Sequence, residues 1–443
     1  MQDGDGARWV RERLDDLLVR LRAIRLPSKT VPVVAVAAPR PEALAALEDG
    51  VRAAVRSIMS ELVSQRARVA PGLRLEAVAL RRANRSLTIA QLRADALFRT
   101  LDFFADAMGT RADPPVGTLL AGLDRLLEAA LARGIPGYVP PRPIAYLDSV
   151  TRGGAITRAR TRLPGGVVLP IAMVRVSPES LPTRLTNSLH EAGHQLSVDL
   201  GVLGEARPAI QQAAYTVLRD DGAARLWGSW ASEILADCWG LLLGGGAPAV
   251  DGLQRVLSLP APMLYSIRAG DPHPPGAIRI PLSLAIARSV HPDPLLDPLA
   301  RRHDAIHAGD PMPAEIPRLA AAIAPVARRL LEMRFAGLGA RRLVEVCDVG
   351  AVAPRVIGAL VEQGCAQDPQ RLASRPPLQA LAVLGTARLR GHLDAASHDL
   401  ASRAWLSALG SLPRRPFDAP PAEAGGWLTG SSAEAADQER AWS

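Results

Sequence analysis

Cysteine and aromatic residues are scarce in this chain of 443 residues, which contains three cysteines and 4% aromatic residues. Cys238, Cys347 and Cys365 are odd in number and stand at unrelated spacings. They therefore encode neither a disulfide framework nor a zinc site of the cysteine type. The aromatic residues are too sparse to suggest platforms on which nucleic-acid bases stack.

Long apolar segments are also missing. No run of about 18 uninterrupted apolar residues occurs, so we expect no membrane span. The amino end, MQDGDGARWVRERLDDLL, is acidic and then amphipathic, and it has no apolar core typical of a secretory signal. Together with the absence of a disulfide framework, this predicts a soluble protein in the reducing cytoplasm.

Lysine is almost absent, and the positive charge comes from arginine. The 52 basic residues exceed the 44 acidic residues by 8, and the pI is about 10.3. This excess is small for the length of the chain, and nucleic-acid binding requires basic residues clustered on one face. A basic nucleic-acid-binding protein is thus an alternative supported by the pI alone, and we expect no specific nucleic-acid partner.

Hydrophobic residues make up 48% of the chain, enough for a sizeable core. Their spacing predicts mostly helices in the first third. The predicted helices cover 7–26, 41–68, 86–109 and 115–133, with one buried strand at 31–38. After Pro136, turns rich in glycine and proline separate three apolar segments that predict the strands of a small sheet, at 138–149, 155–163 and 166–176. Pro170 lacks an amide donor, which predicts that the third strand lies at a sheet edge or contains a bulge.

The remainder of the chain is predicted to be helical, with helices at 181–200, 206–219, 223–243, 314–336, 339–347, 350–364 and 376–408. Residues 258–294 are rich in proline and glycine and interrupt this pattern. The fold class is therefore α+β and mainly helical. We predict a mostly helical region at 1–135, a core containing the sheet at 136–310, a helical region at 311–410 and a flexible tail at 411–443.

The segment NSLHEAGHQL contains His190, Glu191 and His194 in the pattern H-E-x-x-H. On a helix, positions i and i+4 lie on one face about one turn apart, so both imidazoles can bind the same zinc ion. Glu191 then points toward the water on that ion, where it can act as a general base. A helix whose two histidines bind nothing is the alternative.

The third zinc ligand must come from elsewhere in the chain. A metzincin has glycine and histidine where this chain has Ser197 and Leu200, so that class is excluded. The downstream segment SWASEILADCWG offers Glu233 and Asp237, again at i and i+4 on one helical face. One carboxylate can bind zinc while the other accepts a hydrogen bond from a ligating histidine. An ordinary solvated helix face is the alternative for this pair.

These motifs resemble those of the gluzincin metallopeptidases, which pair an HExxH helix with a downstream helix bearing Glu-x-x-x-Asp. The spelling Glu233-Ile-Leu-Ala-Asp237 is similar to the Glu-x-x-Ala-Asp of thermolysin-related and HtpX-like enzymes, over about 140–285 of this chain. The resemblance implies a zincin-like core, one Zn²⁺ bound by His190, His194 and Glu233, and Asp237 as the partner of a ligating histidine. The reverse assignment, with Asp237 as the ligand, resembles Asp-liganded peptidases that share the spelling HEAGH. Unlike HtpX-like enzymes, this chain has no predicted membrane helices.

The resemblance also implies roles for residues outside these helices. His273, in AGDPHPPGAIRI, corresponds to a histidine that stabilises the oxyanion or lines the substrate site in several gluzincins. Arg279 follows in the same run and is predicted to bind substrate. In zincins a substrate peptide lies along an edge strand beside the HExxH helix, and residues 167–176 are predicted to be that strand.

A second histidine pair occurs in HDAIH, where His303 and His307 are also at i and i+4. Aspartate is shorter than glutamate and reaches less far toward a bound water, and no third ligand follows. We expect a polar surface helix there. The isolated histidines His291, His392 and His398 are expected to be structural.

The leading hypothesis is a zinc endopeptidase in which Glu191 is the general base and His273 assists the oxyanion. Its partners are peptide or protein substrates, and the helical flanks can dock a protein partner or restrict access. The alternative is a zincin-like interaction module that binds zinc or a protein partner without cleaving peptides. An intact HExxH favours the enzyme, because a structural zinc site has no need of Glu191.

Overall fold

The computed structural model describes residues 3–30, 37–69, 76–148, 155–157, 163–164, 166–177, 185–257, 260–268 and 270–413. The described chain is mainly helical with one small sheet, as the α+β prediction requires. The predicted strand at 31–38 and the predicted tail lie almost entirely outside the described residues.

The chain divides into two compact units, and the first comprises Met1–Asp124, Pro141–Val150 and Ala155–Val176. Its helices are α1 (Asp3–Arg22), α2 (Pro27–Thr30), α3 (Pro41–Arg68), α4 (Ala77–Gly109) and the start of α5 (Pro114–Leu131). Leucines at helical spacing in α1 and α3, such as Leu14, Leu17 and Leu47, are fully buried in one core with α4. The predicted helix at 41–68 is confirmed, and α4 begins nine residues before its predicted start.

The sheet contains β1 (Arg142–Leu147), β2 (Ala155–Thr157) and β3 (Ile171–Val176) in the order β1-β3-β2. β1 runs parallel to β3 along its full length, and β2 pairs antiparallel with the other side of β3. The prediction that 166–176 forms an edge strand is therefore wrong. Pro170 immediately precedes β3, where its missing amide donor removes no ladder hydrogen bond. Both sides of β3 are paired, so the predicted addition of a substrate peptide there is not supported.

The second unit comprises Arg125–Pro140, Thr151–Gly154 and Ser177–Ser443. It contains the end of α5 and the remaining helices, α6 to α20. In chain order these are Thr186–Asp199, Val202–Leu218, Asp221–Ser229, Ala231–Gly244, Gly246–Val256, Ala261–Leu264, Gly276–Val290, Leu296–Ile306, Glu315–Ala320, Ile323–Glu332, Leu343–Val346, Pro354–Glu362, Pro369–Ala373, Pro377–Leu389 and Ala395–Ser411. Three short 3-10 turns occur at Ala336–Leu338, Val349–Val352 and Cys365–Gln367.

The two units do not follow the predicted boundaries at 135 and 310. The sheet joins the amino-terminal helices, whereas the carboxy-terminal helices join the unit that holds the HExxH helix. The segment predicted as irregular at 258–294 contains α12, Gly276–Val290, which includes Pro281 in its interior. No helix within the described ranges is both long enough and apolar enough to cross a membrane.

Candidate metal centre

The HExxH residues lie on α6 and the Glu/Asp pair lies on α9, and the two helices pack closely. A Cβ atom at Gly193 would lie 2.8 Å from the carbonyl oxygen of Ala236 and 2.8 Å from Cβ of Trp239, so only glycine permits this approach. The indole of Trp239 donates a hydrogen bond to Ser197 Oγ at 3.1 Å. This contact between α6 and α9 brings together two motifs that are 39 residues apart in the chain.

Three side chains offer ligand atoms that all lie within 4.8 Å of one another: His190, His194 and Glu233. The Nε2 atoms of the two imidazoles are 3.1 Å apart. Glu233 Oε1 lies 3.1 Å from His194 Nε2, and Oε2 lies 3.4 Å from His190 Nε2. Glu233 therefore faces both histidines on the side where a metal ion would be bound.

The other nitrogen of each imidazole is occupied by a hydrogen bond. His190 Nδ1 is 2.8 Å from Asp237 Oδ1, and His194 Nδ1 is 3.2 Å from Ser232 Oγ. A carboxylate can only accept, so Nδ1 of His190 carries a proton, and Nε2 is the nitrogen left to bind a metal ion. Asp237 thus contacts the far side of His190 and does not belong to the three-ligand group.

Arg279, on α12, is buried against the two carboxylates of α9. Its Nε and Nη2 atoms donate to Asp237 at 2.5 and 2.8 Å, and Nη2 lies 3.3 Å from Glu233 Oε2. Burial alone would raise the pKa of Asp237, but the Arg279 guanidinium lowers it. Nη2 also lies 3.3 Å from Nδ1 and 3.4 Å from Nε2 of His190, so Arg279 contacts both the carboxylates and this imidazole. Its role in substrate binding stays a prediction.

The acidic surroundings favour positive charge at His190. Burial lowers the pKa of His190, but its hydrogen bonds to Asp237 and Glu233 outweigh this and raise the pKa to about 10. Burial would raise the pKa of Glu233, yet the hydrogen bonds from both histidines hold it well below its usual range. The site therefore presents ionised carboxylate oxygens beside the imidazole nitrogens.

Glu191 lies beside the three-ligand group and is 9% exposed. Its burial raises its pKa, while the neighbouring His190 and His194 oppose that shift. A carboxylate with a raised pKa accepts a proton more readily, as a general base near neutral pH must.

His273 lies at the opening of the site, with its side chain 47% exposed. Its Nε2 atom is 3.7 Å from Glu233 Oε1, and its Nδ1 atom is 2.7 Å from Asp271 Oδ1. Asp271 also accepts a hydrogen bond from the backbone amide of His273 at 3.0 Å. The structure thus places His273 next to the predicted ligands, as the sequence analysis expects, and Asp271 fixes its orientation.

Two residues of this centre, Ser232 and Asp271, were not predicted. Ser232 directly precedes Glu233, and Asp271 stands two residues before His273. This proximity along the chain is the sequence feature that could have identified them as members of the site. The second histidine pair lies at the end of α13, with His303 in the helix and His307 directly after it. His307 Nδ1 is 2.9 Å from Asp310 Oδ2. Within the described part of the chain, His303 and His307 belong to no three-ligand group.

The donor set of the centre fits zinc, for which two imidazoles and one carboxylate are common catalytic ligands. The side chains of His190 and His194 are 16% and 21% exposed, so the group is partly open to solvent. Comparisons of the chain with protein-family models, with curated protein sequences and with solved structures gave no match.

Proposed function

We propose that this protein is a zinc-dependent endopeptidase whose ion is held by His190, His194 and Glu233. The observation that carries the proposal is the convergence of these three ligand atoms within 4.8 Å, with Glu191 on the same helix. A purely structural zinc site is normally closed by four protein ligands, whereas three ligands leave a position for chemistry.

Each residue of the candidate centre has a separate role in the proposed reaction. When bound, zinc supplies a Lewis acid that lowers the pKa of a coordinated water and polarises the peptide carbonyl. Glu191 accepts a proton as the water attacks and then returns it to the leaving amine. His273 donates a hydrogen bond to the developing oxyanion, and Asp271 holds its ring in place. Arg279 keeps Asp237 ionised, and Asp237 keeps the proton of His190 on Nδ1.

The test is metal analysis beside peptide hydrolysis for the wild type and Glu191→Gln. We expect one zinc per chain in both proteins and a loss of hydrolysis of about 10²–10⁴-fold in the variant, as is typical when a general base is removed. A denatured protein pool, incubated with and without a chelator, serves as the substrate. Glu332→Gln makes the same change on an exposed side chain and is expected to behave as the wild type.

Three outcomes would contradict the proposal in different ways. Undiminished hydrolysis by Glu191→Gln would exclude its role as the base. Full zinc occupancy after His194→Ala would exclude ligation at that position. Zinc binding by the wild type without any chelator-sensitive hydrolysis would favour the alternative, a zincin-like interaction module that does not cleave peptides.

A further inference from the structure

A pocket with several polar lining residues lies in the second unit, outside the candidate metal centre. None of the three predicted metal ligands lines it. Its polar lining residues are Thr186, Asp251, Arg388, His398 and Ser402, and the rest of its lining is apolar or glycine. We refer to these five residues and the space between them as the arginine pocket.

The charges around the arginine pocket are unbalanced. Asp251 is bound by two arginines: Arg255 Nε lies 2.8 Å from its Oδ2 atom, and Arg302 Nη2 lies 2.7 Å from its Oδ1 atom. Arg388 has no carboxylate oxygen within 4.0 Å among the described residues, and its recorded polar contact is with His398 Nδ1 at 3.5 Å. Three guanidinium groups therefore lie around one carboxylate, and Arg388 is the one that no carboxylate contacts within the described residues.

Burial and the nearby positive charges lower the pKa of the basic groups in the pocket. Burial lowers the pKa of Arg388, and the positive charges of Arg255 and Arg302 lower it further. Burial and the Arg388 charge lower the pKa of His398 to about 4, so its ring is neutral at pH 7. His398 therefore adds no positive charge to the pocket at pH 7.

Ser402 supplies an independent sign that a ligand is missing. Its side chain lines the pocket and the residue is 1% exposed. The hydroxyl has no hydrogen-bond partner within the part of the chain that the structure describes. Because leaving a buried hydroxyl without a hydrogen-bond partner is costly, such groups in native proteins require an explanation.

We propose that the arginine pocket binds a phosphate group, with the Arg388 guanidinium and the Ser402 hydroxyl as its donors. A phosphate supplies the anionic partner that Arg388 lacks, and its oxygens accept the paired N–H donors of arginine. The phosphate can belong to inorganic phosphate or to a phosphate monoester. This inference does not depend on the endopeptidase proposal, because no predicted metal ligand takes part.

Isothermal titration of the full chain with sodium phosphate, against chloride of equal ionic strength, tests the proposal. We expect saturable binding to one site in the wild type, at least tenfold weaker binding in Arg388→Gln and several-fold weaker binding in Ser402→Ala. Arg390→Gln is the matched control, since Arg390 follows α19 closely but pairs with Glu362 outside the pocket at 2.9 Å. A parallel titration with O-phosphoserine compares a phosphate monoester with inorganic phosphate. The ligand that binds more tightly identifies which of the two the pocket prefers.

Folding and metal binding are monitored in the same proteins. We expect Arg388→Gln to melt at or above the wild-type temperature without phosphate, because it removes an uncompensated charge, and to keep its zinc content. Absence of saturable phosphate binding to the wild type would overturn the proposal. Equal phosphate affinity in Arg388→Gln and Arg390→Gln would also overturn it.

Discussion

At the residue scale, the candidate centre depends on a chain of contacts from Arg279 through Asp237 to His190. Asp237 accepts from Arg279 at 2.5 Å and from His190 Nδ1 at 2.8 Å. A negative partner on Nδ1 makes the opposite nitrogen a stronger ligand and fixes the direction in which it points. Asp237 would thus act on a bound ion through His190, without contacting it.

We therefore expect Asp237→Asn to weaken zinc binding by about 10–100-fold, the usual effect of losing such a partner. The variant keeps the shape of the side chain but removes the charge that faces Arg279. Competition with a chromogenic chelator measures the zinc affinity. Asp297→Asn is the control, because Asp297 is an exposed partner of Arg288 on another helix. Equal affinities in the two variants would show that Asp237 does not support the ligand.

His398 supplies a pH dependence that belongs to the arginine pocket. Its pKa is lowered from 6.5 to about 4 in the folded protein, so the unfolded chain binds a proton on His398 more readily than the folded chain. The free energy of unfolding therefore falls as the pH is lowered from about 6.5 to about 4. By linkage, this group contributes up to about 3 kcal/mol to that loss.

Urea unfolding in phosphate-free buffer, at several values between pH 7 and pH 4, measures this contribution. We expect a shallower decline in His398→Gln than in the wild type. His392→Gln, which changes an exposed histidine in the same region, is expected to leave the decline unchanged. If His398→Gln and the wild type lose stability in parallel, His398 is not the responsible group.

At the element scale, the packing of α6 against α9 determines whether the two motifs meet. The closest approach occurs at Gly193, where an added Cβ would be 2.8 Å from backbone and side-chain atoms of α9. Backbone atoms in a packed helix cannot move aside cheaply, so the two helices would have to separate. The ligands on opposite helices would then separate as well.

Gly193→Ala is expected to lower the free energy of unfolding by about 1–3 kcal/mol, the usual cost of overpacking, and to weaken zinc binding. Gly204→Ala is the matched control, because Gly204 lies in the next helix and an added Cβ there would meet nothing within 4 Å. That control is expected to be neutral or to stabilise by up to about 1 kcal/mol, since alanine favours helix. Equal stabilities and zinc affinities in the two variants would contradict this account of the contact.

Helix α12 is an element that the sequence does not predict. Residues 258–294 are rich in proline and glycine, and no helix is predicted there. The structure instead forms a helix at Gly276–Val290 with Pro281 in its interior. Ten of its residues are buried, so tertiary packing outweighs the local penalty of proline. This helix carries Arg279, whose contact with Asp237 was therefore not predicted.

At the scale of the whole molecule, every residue of the candidate centre belongs to the second unit, although its members span 89 positions from His190 to Arg279. A ligand that binds only the folded state stabilises the elements that hold it. Zinc should therefore stabilise α6 and α9 against local opening more than the helices of the first unit.

Hydrogen exchange with and without zinc tests this expectation. We expect slower amide exchange in α6 and α9 when zinc is present, and no change in α1, α3 and α4. His194→Ala should abolish the zinc-dependent difference. A uniform change over both units, or a difference that persists in His194→Ala, would indicate that zinc acts at another site.

The sequence by itself determined the local features of this protein. The i, i+4 spacings place His190 beside His194 on one helix and Glu233 beside Asp237 on another, because helical geometry depends only on neighbouring residues. The regular apolar spacing of 41–68 predicted α3 for the same reason. Only the tertiary structure decided that Glu233 faces both imidazoles while Asp237 accepts a hydrogen bond from Nδ1 of His190. It also decided that β3 lies in the middle of the sheet. These outcomes depend on contacts between residues far apart in the chain, which no local pattern encodes.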